Sequence, residues 1–183
     1  ETLMTTATGA HAQANPLIQR GRAWVFGDDV PNDAGVMTIE ATRRSIYDPA
    51  ELAKHCMRAI DPDFPERARP GDFIVAGRNF GRGQLHVQGP LSIGALGLGL
   101  VTESMSRSFF RLCVSVGVKM LPFCASVREG IGSGDEIEVD FSAGRVRNLS
   151  TGREFAFEPL PDFILEILLA GGERPWLAKQ AQP

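Results

Sequence analysis

One glycine-rich stretch, AGRNFGRGQLHVQGP (residues 76–90), holds the residue types that can bind and transform a small anion. Gly81 and Gly83 would let the backbone approach a ligand closely, and Arg82 would supply positive charge. His86 alone in this stretch has a side chain that titrates near neutral pH, so it is the candidate for general acid–base catalysis. The stretch therefore predicts an anion site and leaves open whether the site also catalyses.

The ligand class follows from what the stretch lacks. It has G-x-G without the third glycine of the dinucleotide fingerprint, and it has no G-K-[ST] of a nucleotide P-loop. A carboxylate therefore suits the site better than a polyphosphate. Gln84 and Gln88 can bind a carboxylate or a hydroxyl, and Leu85 can contact an apolar substituent. The alternative is that the glycines only form a tight turn and that the arginines are solvated.

A second candidate lies upstream, in the acidic turn GDDVPND. Asp33 at its end can orient a catalytic partner. Two simpler interpretations remain open. An aspartate in a turn often bonds its own backbone, and a lone loop histidine is often exposed or held by a structural hydrogen bond.

The glycine-rich stretch needs a strand before it and a helix after it. DFIVAG is nearly continuously apolar, as expected for a strand inside a sheet, and Gly89-Pro90 opens a short helix. Further fragments predict alternating strands and helices: RAWVF, DPAELAKHCMRAI with Asp48 as its cap, LGLVTES, SRSFFRLCVSVG ending at Gly117, and VKML. This order predicts parallel strands joined by crossover helices, with the stretch at their carboxyl ends, where ligands bind.

After VKML the pattern changes. DEIEVDF alternates strictly, RVRNL and EFAFEPL follow as short strands, and PDFILEILLAGG closes as an amphipathic helix. The predicted fold class is α/β, with a mostly parallel central sheet and a C-terminal antiparallel β appendage. We expect a flexible N-terminal arm over 1–20, one domain over 21–172 and a tail over 173–183.

The composition excludes several function classes. A net charge of −3 gives no reason to expect nucleic acid, and no apolar run approaches the roughly 20 residues that span a bilayer. The N-terminal residues lack the basic and apolar regions of a signal peptide. Three irregularly spaced cysteines are a poor disulfide framework and a poor zinc site. We expect reduced thiols, no metal bound by this chain, and a cytoplasmic protein.

Several motifs, in unbroken order over about residues 21–172, carry a resemblance to a known family. They are GDDVPND, DPAELAKHCM, RPGDFIVAGRNFGRG, SRSFFR, GDEIEVD and GRVRNLSTGREFAFEPLPDFILEILLAGG. The chain resembles the small subunit of 3-isopropylmalate dehydratase, the swivel domain of the aconitase superfamily. The resemblance implies a swivelling β/β/α domain that caps a separate large subunit. It also implies a four-iron four-sulfur cluster on that partner, acting as a Lewis acid on the departing hydroxyl, and a hydroxylated di- or tricarboxylate substrate.

The chain departs from this family where the family does its chemistry. The family pattern in the loop is N-F-G-x-G-S-S-R-E-H-A-P, and here Gln84 and Leu85 stand in the places of the two serines. His86 stands in the place of the arginine that grips the substrate. The resemblance makes the first serine the base, and Gln84 cannot replace it because an amide does not exchange protons near neutral pH. Asp33 matches the acid of the family's N-T-D motif.

Three hypotheses follow. The first is a hydro-lyase of altered chemistry or substrate, whose site comprises His86 and Asp33 as catalytic residues and Arg82, Gly83, Gln84, Leu85 and Gln88 as substrate-binding residues. The second is a non-catalytic or regulatory swivel subunit that binds an anionic metabolite or a partner without proton transfer. The third is a homo-oligomer that acts alone. The first is our main expectation.

Overall fold

The structure is a computed structural model that describes residues 15–181. Its strands form one seven-stranded sheet in the order β4-β3-β2-β1-β5-β6-β7. The strands are β1 (Ile18–Val25), β2 (Phe73–Ala76), β3 (Gly99–Thr102), β4 (Met120–Leu121), β5 (Glu136–Asp140), β6 (Arg145–Asn148) and β7 (Glu154–Ala156). The described α-helices are α1 (Ile39–Arg43), α2 (Pro49–Ala53), α3 (Phe64–Arg67), α4 (Gln88–Ala95), α5 (Arg107–Val116), α6 (Asp162–Ala170) and α7 (Glu173–Gln180).

The direction of the strands changes at β1. Strands β1 to β4 pair in parallel, whereas β1 pairs with β5, β5 with β6, and β6 with β7 in antiparallel fashion. The predicted fold class is therefore confirmed, and the antiparallel appendage continues the same sheet. The parallel half brings the loops that follow β1, β2, β3 and β4 to one edge, as the strand–helix order predicted.

Burial follows the two sequence patterns. Every residue of β2 and β3 is buried, in keeping with their continuous apolar runs, while β5 alternates between buried and half-buried positions. Aromatic side chains fill the core against the sheet, among them Phe73, Phe80, Phe109 and Phe141. Helix α5 follows Ser106, whose side chain accepts a hydrogen bond from the Phe109 amide, and it ends at the predicted Gly117, which has a left-handed φ of 78°.

Ordered elements extend into both of the expected end regions. Strand β1 begins at Ile18, inside the arm expected over 1–20, because residues 18–22 pair with β5 and the appendage therefore orders them. Residues 1–14 of that arm lie outside the described residues. At the other end, Glu173–Gln180 forms α7 within the expected tail, and this helix packs against α6 and α5.

The helix predicted over residues 49–60 is wrong in length. Asp48 caps it as predicted, accepting a hydrogen bond from the Glu51 amide at 2.9 Å, but α2 ends at Ala53. The following residues form turns, and Met57 has a left-handed φ of 53° that no α-helix allows. The Met57 amide instead donates to the Val36 carbonyl at 2.7 Å, so a tertiary hydrogen bond replaces the helical one.

The described helices are short. The longest of them, α5, has ten residues, and no helix within residues 15–181 is long and apolar enough to cross a membrane.

Candidate active site

The candidate site lies where the loop after β1 meets the loop after β2. The Gly81 amide donates to the Val30 carbonyl at 2.8 Å, and the Asn32 amide donates to the Arg82 carbonyl at 2.9 Å. These bonds extend the parallel pairing of β1 and β2 beyond the ends of both strands. The fold therefore sets the acidic turn beside the glycine-rich stretch, although about fifty residues separate them in the chain.

The two catalytic candidates are in direct contact. The Nδ1 atom of His86 lies 2.9 Å and 2.8 Å from the two carboxylate oxygens of Asp33. Because a carboxylate only accepts hydrogen bonds, Nδ1 must carry a proton, and Nε2 of the neutral ring is left as a proton acceptor. The His86 side chain is 36% exposed and that of Asp33 15% exposed. The pair can therefore do general acid–base chemistry on a ligand at the surface.

The arginines of the stretch are already partnered. Arg82 donates through Nε to the Asp29 backbone carbonyl at 3.0 Å, and Arg78 donates to the Asp28 carboxylate at 3.1 Å. The acidic pair after β1 therefore offsets part of the positive charge that the sequence suggested. Arg82 is still half-exposed, so its remaining guanidinium donors can reach a ligand.

The other substrate-binding candidates divide into accessible and enclosed residues. Gln84 is exposed, and Leu85 is 63% exposed. Gly83 has a φ of 96°, and the space where a Cβ would stand is open. Glycine is therefore favoured there by its backbone conformation and not by lack of space. Gln88 is only 3% exposed, at the first residue of α4. Gln84 and Leu85 can therefore contact a ligand directly, whereas Gln88 lies mostly beneath the surface.

Sequence reasoning missed an ion-pair network beside the site. Arg128 contacts the carboxylates of Asp28 at 2.6 Å and Glu103 at 3.0 Å, and it lies in the 3₁₀ helix Val127–Gly130. The network joins the loops after β1, β2 and β3, and it borders a cavity of about 570 Å³. Hydrogen bonds from the Arg78 amide and guanidinium hold the pKa of Asp28 below its usual value. No local motif signals contacts across 25 and 100 residues.

Sequence reasoning also missed Asn32, which is fully buried between the two loops. Its side-chain amide donates to the carbonyls of Gln84 at 3.0 Å and His86 at 2.8 Å. The sequence marks Asn32 only as a turn residue before Asp33, and nothing local indicates that its amide faces a distant loop.

The described part of the chain does not fit a metal cluster. Within residues 15–181, no three histidine, cysteine, aspartate or glutamate side chains group to hold a metal ion. The three cysteines are free and buried, and they lie apart in the core as Cys56, Cys113 and Cys124. A four-iron four-sulfur cluster therefore has no ligand set in these residues.

Comparisons with known proteins connect this geometry to a family. No protein-family model matches the chain. The 3-isopropylmalate dehydratase small subunit 1 of Methanopyrus kandleri is 46% identical over 154 residues, which cover 84% of this chain and 88% of the relative. The isopropylmalate/citramalate isomerase small subunit of Methanocaldococcus jannaschii is 40% identical over 165 residues, covering 89% and 95%. The chain belongs to the 3-isopropylmalate dehydratase small subunit family.

A solved member of the family has the same fold. The crystal structure of 3-isopropylmalate dehydratase from Methanocaldococcus jannaschii matches with a TM-score of 0.82 and 35% identity, over 89% of this chain and 95% of that one. The resemblance inferred from the sequence motifs is thus confirmed for family and for fold. Family membership leaves the divergent loop of residues 84–88 to be interpreted from its own geometry.

Proposed function

We propose that this chain is the small subunit of an aconitase-superfamily hydro-lyase, a dehydratase or isomerase, in which the His86–Asp33 pair transfers the proton. It works with a large subunit that carries a four-iron four-sulfur cluster, on a hydroxylated di- or tricarboxylate. The names of the relatives, small subunits of isopropylmalate dehydratases and of an isopropylmalate/citramalate isomerase, support the reaction class and the partner. The single observation that carries the proposal for this chain is the contact between His86 and Asp33.

The chemistry of the pair follows from its protonation. Nε2 of His86 accepts the proton from the carbon next to a substrate carboxylate, and the carbon–oxygen bond to the neighbouring hydroxyl breaks as the double bond forms. The hydroxyl leaves with its bonding electron pair, and the partner subunit's cluster would accept it as a Lewis acid. Asp33 stabilises the imidazolium that results and keeps Nε2 turned outward. In the reverse, hydrating direction the imidazolium returns the proton to carbon. In this proposal the chain contributes proton transfer and substrate contacts, and the large subunit contributes the cluster.

Three side chains around His86 are available to the substrate. The exposed amide of Gln84 can hydrogen-bond a carboxylate or hydroxyl oxygen, and exposed Leu85 can contact an apolar substituent. Arg82 can add a charge-assisted hydrogen bond from its remaining donors. Gly83 lets the backbone turn between them. Gln88 is mostly buried at the first residue of α4, so it has little surface for a substrate contact.

One observation favours a second candidate, a swivel subunit that binds without proton transfer. Both arginines of the loop already contact acidic residues after β1, and Gln84 cannot act as a base. The loop would then bind an anion without taking a proton from it. The two candidates differ in a single respect, which is whether His86 exchanges a proton with the ligand.

The state of the thiols supports a cytoplasmic location. All three cysteines are free and buried, and a disulfide-free chain is typical of a reducing compartment. We therefore assign the protein to the cytoplasm.

Turnover of the assembled complex tests the proposal. The chain and its large subunit are incubated anaerobically in D₂O with a panel of 2-hydroxy di- and tricarboxylates, and NMR records dehydration and deuterium incorporation. We expect turnover of at least one acid, lost in His86→Ala and retained in His55→Asn. His55 is the matched control because it is a second histidine with its own partner, Thr38 Oγ1 at 2.6 Å.

Chromatography and the visible spectrum of the cluster establish that each variant complex is intact. No exchange with any acid by an intact wild-type complex would reject proton transfer and favour the binding subunit. Full turnover by His86→Ala would reject His86 as the base.

A further inference from the structure

The loop that carries His86 has very few attachments. Among the described residues, every hydrogen bond that residues 83–86 make has Asn32 or Asp33 as its partner. Asp33 holds the imidazole ring, and Asn32 holds the main chain on both sides of Leu85. Two adjacent residues of one turn therefore control both the backbone and the side chain of the catalytic candidate.

The orientation of the Asn32 amide is fixed by chemistry. Both of its neighbours, Gln84 O and His86 O, are carbonyl acceptors at 3.0 Å and 2.8 Å. Only the NH₂ group can face two acceptors, and its two N–H bonds are used one on each. The Asn32 backbone is held as well, because its amide donates to the Arg82 carbonyl at 2.9 Å. The Asn32 side-chain amide thus links the two loop carbonyls in one fixed orientation.

The same side chain also carries a buried polar atom that makes no hydrogen bond with the described residues. The other amide atom, Asn32 Oδ1, is buried and has no hydrogen-bond partner among the described residues, which is an unfavourable state for a polar group. Its space is kept free by Gly89, whose Cβ, if present, would stand 1.9 Å from Oδ1. An asparagine that leaves one amide atom unpartnered while the other holds two loop carbonyls points to a role in positioning the loop.

We propose that Asn32 is the positioning residue of the site. By holding the carbonyls of Gln84 and His86 it keeps the His86 ring on Asp33 and Nε2 turned toward the substrate. The inference rests on the proposed function for its catalytic consequence and on the geometry alone for its effect on the ring. Asn32 acts through His86 and does not touch the substrate.

The experiment measures which ring nitrogen of His86 carries the proton. Long-range ¹H–¹⁵N NMR of the full chain, labelled at histidine, distinguishes a fixed Nδ1–H tautomer from one that exchanges. We expect His86 to show the fixed form in the wild type and averaged ring nitrogens in Asn32→Ala. In the assembled complex, kcat of Asn32→Ala should fall by about 10- to 100-fold, the range expected when a reacting group is misplaced by an ångström, with KM changed far less.

The chain supplies a matched control in a second buried asparagine. Asn148 donates through Nδ2 to the Gly130 carbonyl at 2.9 Å and to Asp135 at 2.7 Å, in another part of the molecule. Asn148→Ala should destabilise the fold while leaving the His86 resonances and kcat as in the wild type. Should Asn32→Ala fail to fold, Asn32→Ser, which can hold one carbonyl, serves in its place and should give a smaller change in the same direction.

The outcomes separate this inference from the proposed function. His86 nitrogens that keep the wild-type tautomer in the Asn32 variants would overturn the positioning role, whatever the rate. Averaged nitrogens with an unchanged kcat would support Asn32 as the group that orders the ring and would instead count against His86 as the base. Averaged nitrogens with a lowered kcat support both.

Discussion

His86 and Asp33 are 53 positions apart in the chain, and the fold brings them within hydrogen-bonding distance. The sequence predicted both as candidates because imidazole and carboxylate chemistry belongs to the residue itself. It missed Asn32 because an amide gains a role only from what it faces, here two carbonyls more than fifty residues away. It also overrated the positive charge of the loop, since Asp28 and Asp29 partner the arginines.

Gly89 offers a test of the packing around Asn32. In Gly89→Ala the new Cβ would stand 1.9 Å from Asn32 Oδ1, so we expect a loss of about 1–3 kcal/mol in the free energy of unfolding. In an Asn32→Ala background the next contact, Val36 Cγ1 at 3.5 Å, is ordinary. There the same change should be neutral or slightly stabilising, because alanine favours the helix by up to about 1 kcal/mol.

Urea denaturation of the wild type, the two single variants and the double variant measures the coupling free energy between Asn32 and Gly89. An equal cost of Gly89→Ala in both backgrounds would show that Asn32 does not occupy the space that the glycine provides.

At the scale of elements, prediction succeeded where one local pattern decides the outcome. The continuous apolar runs of β2 and β3, the alternation in β5 and the end of α5 at Gly117 all appear in the structure. It failed after α2, where the apolar spacing continues to Ile60 but the Met57 amide bonds to Val36. A tertiary hydrogen bond of that kind leaves no trace in the periodicity of its own segment.

Strand β4 has only two residues, so side-chain bonds must help to hold it at the sheet. Buried Thr102 donates through Oγ1 to the Pro122 carbonyl at 3.0 Å, and its own carbonyl accepts from the Cys124 amide at 2.8 Å. Thr102→Val keeps the shape but leaves a buried carbonyl without that donor. We expect a loss of about 1–3 kcal/mol in the free energy of unfolding.

Chemical denaturation measures this loss against Thr151→Val, an exposed threonine that should change stability by about 0.5 kcal/mol or less. Equal stability of the two variants would show that the Thr102 bond contributes nothing to the β4 edge.

For the whole molecule, the sequence predicted the α/β class and the family. The order of strands and helices and the long motifs can be identified without knowing any tertiary contact. The ends of the strands were harder to predict from the sequence. Strand β1 begins at Ile18 because β5, more than a hundred residues later, pairs with it. The same assembly of distant segments creates the site, since β1 and β2 are parallel and the loops that follow them emerge at the same edge of the sheet.

The core as a whole determines the behaviour of the thiols. Burial raises the pKa of Cys56 and of Cys124 to about 12 and that of Cys113 well above 9.0. Because these folded-state values are raised, the buried neutral thiols stabilise the fold fully below pH 9, and this stabilisation is lost as the pH rises toward 12. At pH 8 a thiol-specific reagent should label no cysteine in the folded chain and all three in denaturant.

Labelling followed by mass spectrometry counts the modified cysteines. Rapid modification of any one of them in the folded chain would contradict the closed core around that residue.

Chemical rescue tests the central claim, that the His86 imidazole is the base, most directly. His86→Ala in the anaerobic complex should lower kcat by about 10²–10⁴-fold, the usual contribution of a general base. Because the His86 side chain is 36% exposed, free imidazole can enter the vacated space. We predict that added imidazole restores part of the activity, in proportion to its unprotonated form, and leaves the wild type unchanged. Wild-type turnover by His86→Ala, or a lost activity that imidazole does not restore in an intact complex, would contradict the account.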